Sequence, residues 1–329
     1  MLNYYAYAAY PTYVCDYYDY YYYGNISNCR DPRMTYAQTN DIERTSTEFR
    51  IQSNNESGFN WILGAFKETN EKVTDVDYLQ PGSIYPIFWE ADLVRKGDID
   101  AVFGEVYFDV SDKTELTLGL RKYDQTMNLV ASDGYYGSYA YGINTLNFNS
   151  SETGSIPKLS LSHDISDDIM IYWSYSEGFR PSGTNRLNRQ ARESGIVPAT
   201  YDSDTLTNFE AGFKSTLADG KIVLNGNFHT MNWDDFQSTS YIYDLLTVAF
   251  VQNVGQATIS GLELESYFNI SDTFSASLMI ALTDPEFKED IYDLQGELST
   301  PKGNQLAYVP TEQFVMSMNK DFVIGNRDA

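Results

Sequence analysis

The chain has 329 residues, a net charge of −24 and 15% aromatic residues, with 28 tyrosines among them. A chain this acidic offers no basic surface that could displace counterions from nucleic acid, so nucleic acid is excluded as a partner. The mean hydropathy of −0.40 and the lack of any apolar run near 18 residues exclude transmembrane helices. Because 42% of the residues are hydrophobic, a disordered chain is excluded as well. A soluble all-β or mixed protein and a transmembrane β-barrel remain, since barrel strands expose only every second residue to lipid.

Residues 1–43 precede the first predicted strand and contain a tyrosine-rich run between Tyr17 and Tyr23. Met1 is followed by neither a basic nor an apolar stretch, so this segment is not a signal peptide. We therefore expect either a cytoplasmic protein or a chain whose natural N-terminus lies further upstream. Cys15 and Cys29 have no pair of histidines nearby that would complete a zinc site. A disulfide between them that closes a surface loop is favoured over two unrelated thiols.

Period-two alternation of apolar and polar residues predicts eleven β-strands after this segment. In one of them, for example, Leu116, Leu118 and Leu120 alternate with polar or small residues. Each strand therefore has one apolar and one polar face. The predicted strands cover residues 44–53, 59–75, 98–111, 114–130, 153–165, 169–179, 205–218, 222–239, 248–270, 273–289 and 306–323.

Short turns and long connections alternate between these strands. The short turns lie near residues 56, 112, 167, 219 and 272, and the long polar connections cover residues 76–98, 131–152, 180–204, 240–247 and 290–305. Short turns at one end and long loops at the other are typical of outer-membrane barrels, with the turns in the periplasm and the loops outside the cell. A soluble β-sandwich has strands of about 5–6 residues and a turn every 8–12 residues, so the barrel is favoured.

An odd number of strands cannot close an antiparallel up-and-down barrel, and an open sheet would leave unpaired backbone groups in lipid. The sequence therefore predicts an all-β fold, a transmembrane antiparallel up-and-down β-barrel that is incomplete. In this orientation the first strand runs towards a periplasmic turn, so residues 1–43 are expected to form an extracellular loop. Its tyrosines suit packing within that loop or, alternatively, contact with a ligand.

Several stretches resemble one known family. The sequence YWSYSEGFRPSGTN at residues 172–185 is similar to the pattern YxSYSEGFKxGGxN of TonB-dependent outer-membrane receptors. Further stretches resemble other patterns of that family, namely TNFEAGFKS at 207–215, WDDFQ at 233–237, NVGQATISGLELE at 253–265 and GNQLAYVP at 303–310. Each stretch alone is a weak signal, but their order and spacing over residues 44–323 make the resemblance specific.

The resemblance implies a 22-stranded barrel in the outer membrane of a Gram-negative bacterium, filled by an N-terminal plug domain. Residues 44–329 would supply about 11 strands of that barrel, with the plug and the TonB-contacting segment absent from the chain. The implied partners are outer-membrane lipid, the TonB complex acting through the plug, and a scarce ligand, by default a ferric siderophore. Uptake of an oligosaccharide or another organic nutrient, a diffusion porin and a soluble all-β glycan-binding protein are the alternatives. No catalytic residue and no cofactor is expected.

Charged residues on the polar strand faces are predicted to line the lumen and to contact the plug. An arginine or lysine that faced lipid at the bilayer midplane would cost about 2–4 kcal/mol, so these side chains should point inward. A ligand path is the alternative role for the same residues. They are Glu105, Glu115, Arg121, Glu210, Lys214, Glu263 and Glu265.

The loop after the sixth predicted strand carries a local positive patch in an otherwise acidic chain. Such a patch could bind an anionic chelate through charge-assisted hydrogen bonds, with loop solubility or contact with phosphorylated lipid as alternatives. No metal site is predicted, because the only histidines, His163 and His229, lie on separate strands. The residues of the patch are Arg180, Asn185, Arg186, Arg189 and Arg192.

Overall fold

The computed structural model describes residues 2–3, 35–55, 58–79, 87–135, 144–185, 194–242, 248–325 and 327–328. In this part of the chain no helix is both long and apolar enough to cross a bilayer. Eleven long antiparallel strands form one sheet, and Leu2–Asn3 adds a two-residue pairing beside the first of them. The strands are β1 Thr35–Gln52, β2 Phe59–Leu79, β3 Ile87–Ser111, β4 Thr114–Tyr135, β5 Asn144–Ser166, β6 Ile169–Arg180, β7 Asp204–Leu217, β8 Ile222–Asp234, β9 Ala257–Ser271, β10 Phe274–Phe287 and β11 Glu312–Lys320.

Each long strand pairs with the next one along the chain, so the sheet has the predicted up-and-down topology. The eleven predicted strands are confirmed, but β1 to β5 are longer than expected, with 18 to 25 residues each. Much of the predicted connections 76–98 and 131–152 is therefore paired strand. β1 begins at Thr35, so the last part of the predicted loop 1–43 is also strand. The sequence predicted loops for these segments because they are rich in polar residues, although their polarity still alternates.

The predicted strands 222–239 and 248–270 were too long, because each includes one strand of a separate hairpin; the main-sheet part of the second begins only at Ala257. The predicted strand 222–239 ends at Asp234, and Gln237–Ile242 pairs instead with Val248–Asn253. Asp235 has a φ of 55° and Gly255 a φ of 38°, and these left-handed residues turn the chain out of the main sheet and back. The last predicted strand, 306–323, was also too long, because β11 begins only after Pro310.

Three short turns share one hydrogen bond that a serine supplies. The hydroxyl oxygens of Ser111, Ser166 and Ser271 each accept from the backbone N–H two residues later, at 3.3–3.4 Å. This local bond favours a tight reversal. The turns therefore follow from the sequence directly, and they set the register of the strands on either side.

One face of the sheet carries large apolar side chains that are exposed. We call this set the apolar belt; it occupies alternate positions within ten residues of the short-turn end of each strand. In a soluble protein such residues would be buried, so their exposure indicates a lipid-facing surface. The belt includes Leu63, Val102, Phe108, Leu118, Leu161, Trp173, Phe209, Phe228, Leu262, Leu282, Phe314 and Met316.

The opposite face holds most of the buried residues of the sheet, including polar ones. Glu68 is 6% exposed, Gln125 5% and Leu129 0%. Because a curved sheet covers the side chains on its inner side, we identify this as the concave face and the apolar belt as convex. A polar concave face and an apolar convex face are the reverse of a soluble barrel, and they define the wall of a transmembrane one.

The height of the apolar belt matches a bilayer. On the convex face Val102 and Leu120 are its last members, and the next convex positions outward are Asp100 and Lys122. Ten residues correspond to about 33 Å along a strand, which at the usual tilt of 35–45° gives a height of about 25 Å. The described strands thus form an incomplete transmembrane β-barrel, and β1 to β5 continue well beyond the lipid.

Beyond the apolar belt the polarity of the two faces is inverted. Here the concave face carries a buried apolar cluster, on which the partly buried rings of Tyr36, Tyr78 and Phe148 pack. The convex face is charged instead, with an ion pair of 3.0 Å between Lys67 and Asp100. This is the pattern expected where water rather than lipid surrounds the outer surface. The cluster consists of Val76, Ala91, Leu93, Leu129, Ala131 and Leu146.

Leu161 and Ser160 test the assignment of the two faces. Leu161 is 42% exposed on the convex face near the middle of the apolar belt, and its neighbour Ser160 lies on the concave face. Leu161→Arg should lower the free energy of unfolding from lipid vesicles by about 2–4 kcal/mol, because the charge enters hydrocarbon. Ser160→Arg should cost clearly less, and equal losses in urea titrations of the two variants would contradict the assignment.

Candidate functional site

The concave wall within the apolar belt brings together the charged residues predicted to face the lumen. Residues directly opposite each other on paired strands share a face. The register places Lys214 opposite Asn225, and Asn225 opposite Glu265, and it places Glu210 opposite His229. By this alternation all seven predicted residues lie on the concave face; contact with a plug domain stays a prediction. They are Glu105, Glu115, Arg121, Glu210, Lys214, Glu263 and Glu265.

These concave residues differ in their partners. Glu105 is paired with Lys158, at 3.1 Å from Nζ, and it accepts a hydrogen bond of 2.7 Å from the Tyr107 hydroxyl. The guanidinium of Arg121 lies over the ring of Phe66, 4.9 Å from its centroid. The Arg121 and Glu105 side chains are thus engaged with the wall itself and help to order it.

The carboxylates on β7 and β9 are held by neutral groups instead. The Tyr172 hydroxyl donates to Glu210, and Nδ2 of Asn227 donates to Glu263 at 3.0 Å. Among the described residues no lysine or arginine forms an ion pair with Glu210, Glu263 or Glu265. Lys214 lies on the same face, with its Nζ 5.7 Å from the centroid of the Tyr172 ring. Three carboxylates thus stand against one cation, and this net negative charge suits a basic surface placed against it.

A second arrangement lies at the far ends of β6, β7 and β8, on the side opposite the short turns. Asp204 is 1% exposed, and its carboxylate accepts from Nε of Arg180 at 2.8 Å and from the backbone N–H of Gln237 at 2.9 Å. Nη2 of Arg180 also donates to Asp204, and to the carbonyl oxygen of Gln237 at 2.9 Å. We call this group of three residues the Asp204 junction. It joins two loops to the end of the barrel wall.

Arg180 is therefore not a free cation. Its guanidinium lies 4.5 Å from the ring centroid of Trp233 and 5.3 Å from that of Phe236, while Asp204 balances its charge. The sequence predicted that Arg180 binds an anion. In the structure its guanidinium is paired with Asp204 while 44% of the side chain stays exposed, and anion binding stays a prediction. The sequence did not reveal this pairing, because Asp204 lies 24 residues away from Arg180 along the chain.

Asn185 is likewise engaged within the protein. It is 3% exposed, and its Nδ2 donates to the carbonyl oxygens of Val251 and Pro198 at 2.6 and 3.0 Å. Its Oδ1 accepts from the backbone N–H of Val251 at 2.7 Å. Asn185 thus ties the loop after β6 to the separate hairpin. Of the predicted residues, Arg186, Arg189, Arg192, Cys15, Cys29 and the run from Tyr17 to Tyr23 lie outside the described residues.

Sequence reasoning gave no role to Gln237 and Asn253, which complete this network. Nε2 of Gln237 donates to the carbonyl oxygens of Pro181 and Asp202, both at 2.9 Å. Nδ2 of Asn253 donates to the carbonyl oxygens of Asp202 and Asp235 at 2.9 and 2.8 Å. Both residues stand within the stretches that resemble the receptor family. The resemblance therefore included them but gave no indication that they hold the loops together.

Glu152 anchors the same loop to β4. The hydroxyl of Ser203 donates to this carboxylate, and so does the Tyr123 hydroxyl at 3.3 Å. The Tyr123 ring stacks on Phe179 with centroids 4.0 Å apart. It lies across Gly154, where a Cβ atom would come within 2.3 Å of the Tyr123 oxygen, so only glycine leaves room for this ring. The loop bases are thus fixed from both neighbouring strands.

Carboxylates face one another on the convex surface beyond the apolar belt. Asp77 lies directly opposite Glu90, and Asp75 directly opposite Asp92. Burial, followed by the negative charges of Asp92 and Asp77, raises the pKa of Glu90 above its ordinary value. Like charges in cross-strand pairs destabilise a sheet. This corner of the protein therefore loses stability when Glu90 ionises.

Glu90→Gln should raise the melting temperature at pH 7 and leave it unchanged well below pH 4 or so, the ordinary range of a glutamate. Because the folded-state pKa is raised, the folded protein binds more protons than the unfolded chain between the two pKa values, and stability falls as pH rises through that window. Thermal unfolding across pH checks this. The same gain at both pH values would rule out a charge effect.

Asp204→Asn should loosen the loops without unfolding the barrel. The variant keeps the shape of the side chain but weakens charge-assisted bonds, so hydrogen exchange at residues 237–242 and 248–253 should rise by about tenfold or more. Asp202→Asn is the matched control, because Asp202 contributes its backbone groups to the network. Equal exchange in both variants would show that the Asp204 carboxylate does not hold the junction.

Comparison with known proteins agrees with this architecture. A family model described as "TonB dependent receptor-like, beta-barrel" matches residues 2–325. The ferric yersiniabactin uptake receptor FyuA from Yersinia pestis is similar at 16% identity with a TM-score of 0.73, over 90% of this chain and 42% of that one. The ferric preacinetobactin receptor BauA from Acinetobacter baumannii is similar at 16% identity with a TM-score of 0.59, over 90% and 43%. The ferripyoverdine receptor of Pseudomonas aeruginosa is similar at 14% identity with a TM-score of 0.55, over 89% and 37%.

This chain spans roughly two fifths of the length of those receptors, and identities this low show a shared fold alone. The family match covers nearly the whole chain and agrees with the apolar belt, the strand order and the polar concave wall. The chain belongs to the TonB-dependent receptor family, whose members lie in the outer membrane of Gram-negative bacteria, and it carries part of that family's β-barrel.

Proposed function

We propose that the protein takes part in the active uptake of a scarce ligand across the outer membrane, most simply a ferric siderophore. The observation that carries the proposal is the combination of an apolar convex belt with a polar, net-acidic concave wall. Such a wall encloses an aqueous interior rather than a packed core. The fold likeness to FyuA, a ferric yersiniabactin uptake receptor, supports the same class of cargo.

The concave carboxylates are proposed to face a plug domain. Glu210, Glu263 and Glu265 stand on neighbouring strands and lack cationic partners in the described part of the chain. A plug that carried lysine or arginine side chains at this level would complete the charge balance. Energy from the TonB complex would then reach the barrel through the plug, and the ligand would pass between plug and wall.

The loops beyond the bilayer are proposed to receive the ligand. The Asp204 junction and Asn185 fix the described residues that directly precede the segment with Arg186, Arg189 and Arg192. Those three arginines are the proposed contacts to an anionic chelate, since guanidinium groups bind carboxylates and related anions in a bidentate manner. The tyrosine-rich segment before β1 is proposed to lie on the same extracellular side.

Uptake of a radiolabelled ferric chelate by iron-starved cells tests the function. The strain that encodes this chain should import the label, and disruption of its gene or of TonB should abolish the import. Import that persists without TonB would favour a diffusion porin. Import of a labelled oligosaccharide, with none of the ferric chelate, would favour the nutrient alternative.

A triple substitution, Arg186→Ser with Arg189→Ser and Arg192→Ser, tests the ligand contacts. It should weaken binding of an anionic ferric chelate by about tenfold or more, since several charge-assisted bonds are lost. Lys302→Ser removes a cation from a different loop and should leave the affinity unchanged. Isothermal titration of the purified protein measures both, and equal affinities in the triple variant and the wild type would remove these arginines from the site.

A further inference from the structure

A polar groove opens on the convex face of β3, β4 and β5, beyond the apolar belt. It has a volume of about 330 Å³ and is open to solvent. Eight residues line it, of which Met127 and Ser150 alternate towards the concave face and the other six form two cross-strand rows on the convex face. Lys96, Asn128 and Asn149 form one row, and Asp98, Thr126 and Ser151 form the next. Five of the six residues are exposed, and only Asn128 is partly buried.

The groove continues a surface that already faces lipid. The apolar belt ends at Val102 on β3 and at Leu120 on β4. Asp98 lies four residues further from the short turn than Val102, and Thr126 lies six residues further than Leu120. At about 3.3 Å per residue and a tilt of 35–45°, the groove lies about 10–20 Å outside the hydrocarbon. The headgroup layer of a bilayer adds only about 5–7 Å on each side. A phospholipid headgroup is therefore too short to reach the groove.

The chemistry of the groove suits hydroxyl groups better than phosphate. Nδ2 of Asn128 donates to Oδ1 of Asn149 at 2.7 Å, which leaves the Asn149 amide group as a donor. The Thr126 and Ser151 hydroxyls and the Asp98 carboxylate add donors and acceptors. The one lysine, Lys96, is already paired with Glu71 at 2.9 Å. A phosphate would meet the nearby Asp98 carboxylate and little uncompensated positive charge.

We propose that this groove binds the oligosaccharide headgroup of an outer-leaflet glycolipid whose acyl chains lie against the apolar belt. Sugar hydroxyls both donate and accept hydrogen bonds, as the groove side chains do. Anchoring in the membrane holds the sugars at a high local concentration beside the groove, so a small number of hydrogen bonds suffices. The inference rests on the membrane position of the barrel and not on the identity of the transported ligand.

Native mass spectrometry of the protein extracted from outer membranes tests the proposal. The probes are lipopolysaccharide with a complete core oligosaccharide and the same lipid anchor without its core. Binding of the complete glycolipid should be about tenfold tighter, the factor expected for two ordinary hydrogen bonds. Free core oligosaccharide should bind far more weakly than the complete glycolipid. Equal binding of the two lipids, or equally tight binding of the free sugar, would overturn the proposal.

Asn128→Leu combined with Asn149→Leu should abolish the preference for the complete glycolipid. Thr230→Val with Ser260→Ala is the matched control, because it removes a hydrogen-bonded cross-strand pair on the same convex face of β8 and β9. The control should keep the preference; a preference that persists in the asparagine variant would overturn the proposal. If that variant fails to fold, Thr126→Val with Ser151→Ala replaces it. Ferric chelate uptake by the groove variants should stay at the wild-type level, so this inference and the proposed function fail separately.

Discussion

The absence of water from the bilayer core is the constraint on which this structure depends. An unpaired backbone N–H or C=O in hydrocarbon costs several kcal/mol, so each strand must pair with its neighbours along the whole apolar belt. Continuous pairing fixes which side chains share a face, because a slip of one residue would exchange the faces of a strand. In the described part of the chain, β1 and β11 each have a long neighbour on one side only. In lipid both edges require further strands, as an incomplete barrel implies.

A single strand passes from lipid into water, and the polarity of its two faces changes at that boundary. On β4 the convex face changes from Leu120 to Lys122, while the concave face changes from the half-buried Arg121 to the fully buried Leu129. Within the bilayer the concave side must stay polar, and beyond it water on the convex side reverses the preference. The outer ends of β1 to β5 thus build an apolar cluster of their own, in the manner of a soluble domain. That cluster gives the loop bases a firm support outside the membrane.

The sequence predicted the eleven strands and their faces because period-two polarity is a local property. It predicted the turns at Ser111, Ser166 and Ser271 for the same reason, since one serine hydroxyl closes each of them. The outer strand ends were missed because many Asn, Ser and Asp residues there resemble a loop in composition, even though Leu146 and Phe148 keep the alternation. The separate hairpin was missed because two left-handed residues, Asp235 and Gly255, redirect the chain, and period-two polarity does not show a left-handed φ.

The candidate site shows a sharper limit of sequence reasoning. The alternation of residues along each strand was enough to predict that the seven charged residues share a face. The ion pair of Arg180, in contrast, depends on Asp204, which lies far along the chain. Arg180 and Asn185 stand in a stretch that resembles the receptor family. Both donate hydrogen bonds to backbone carbonyl oxygens of other segments and so hold loops together. Residues that stabilise loops in this way make the motif evidence for the fold of the family rather than for a particular cargo. We therefore expect the ligand contacts to come from loop side chains that the Asp204 junction leaves free.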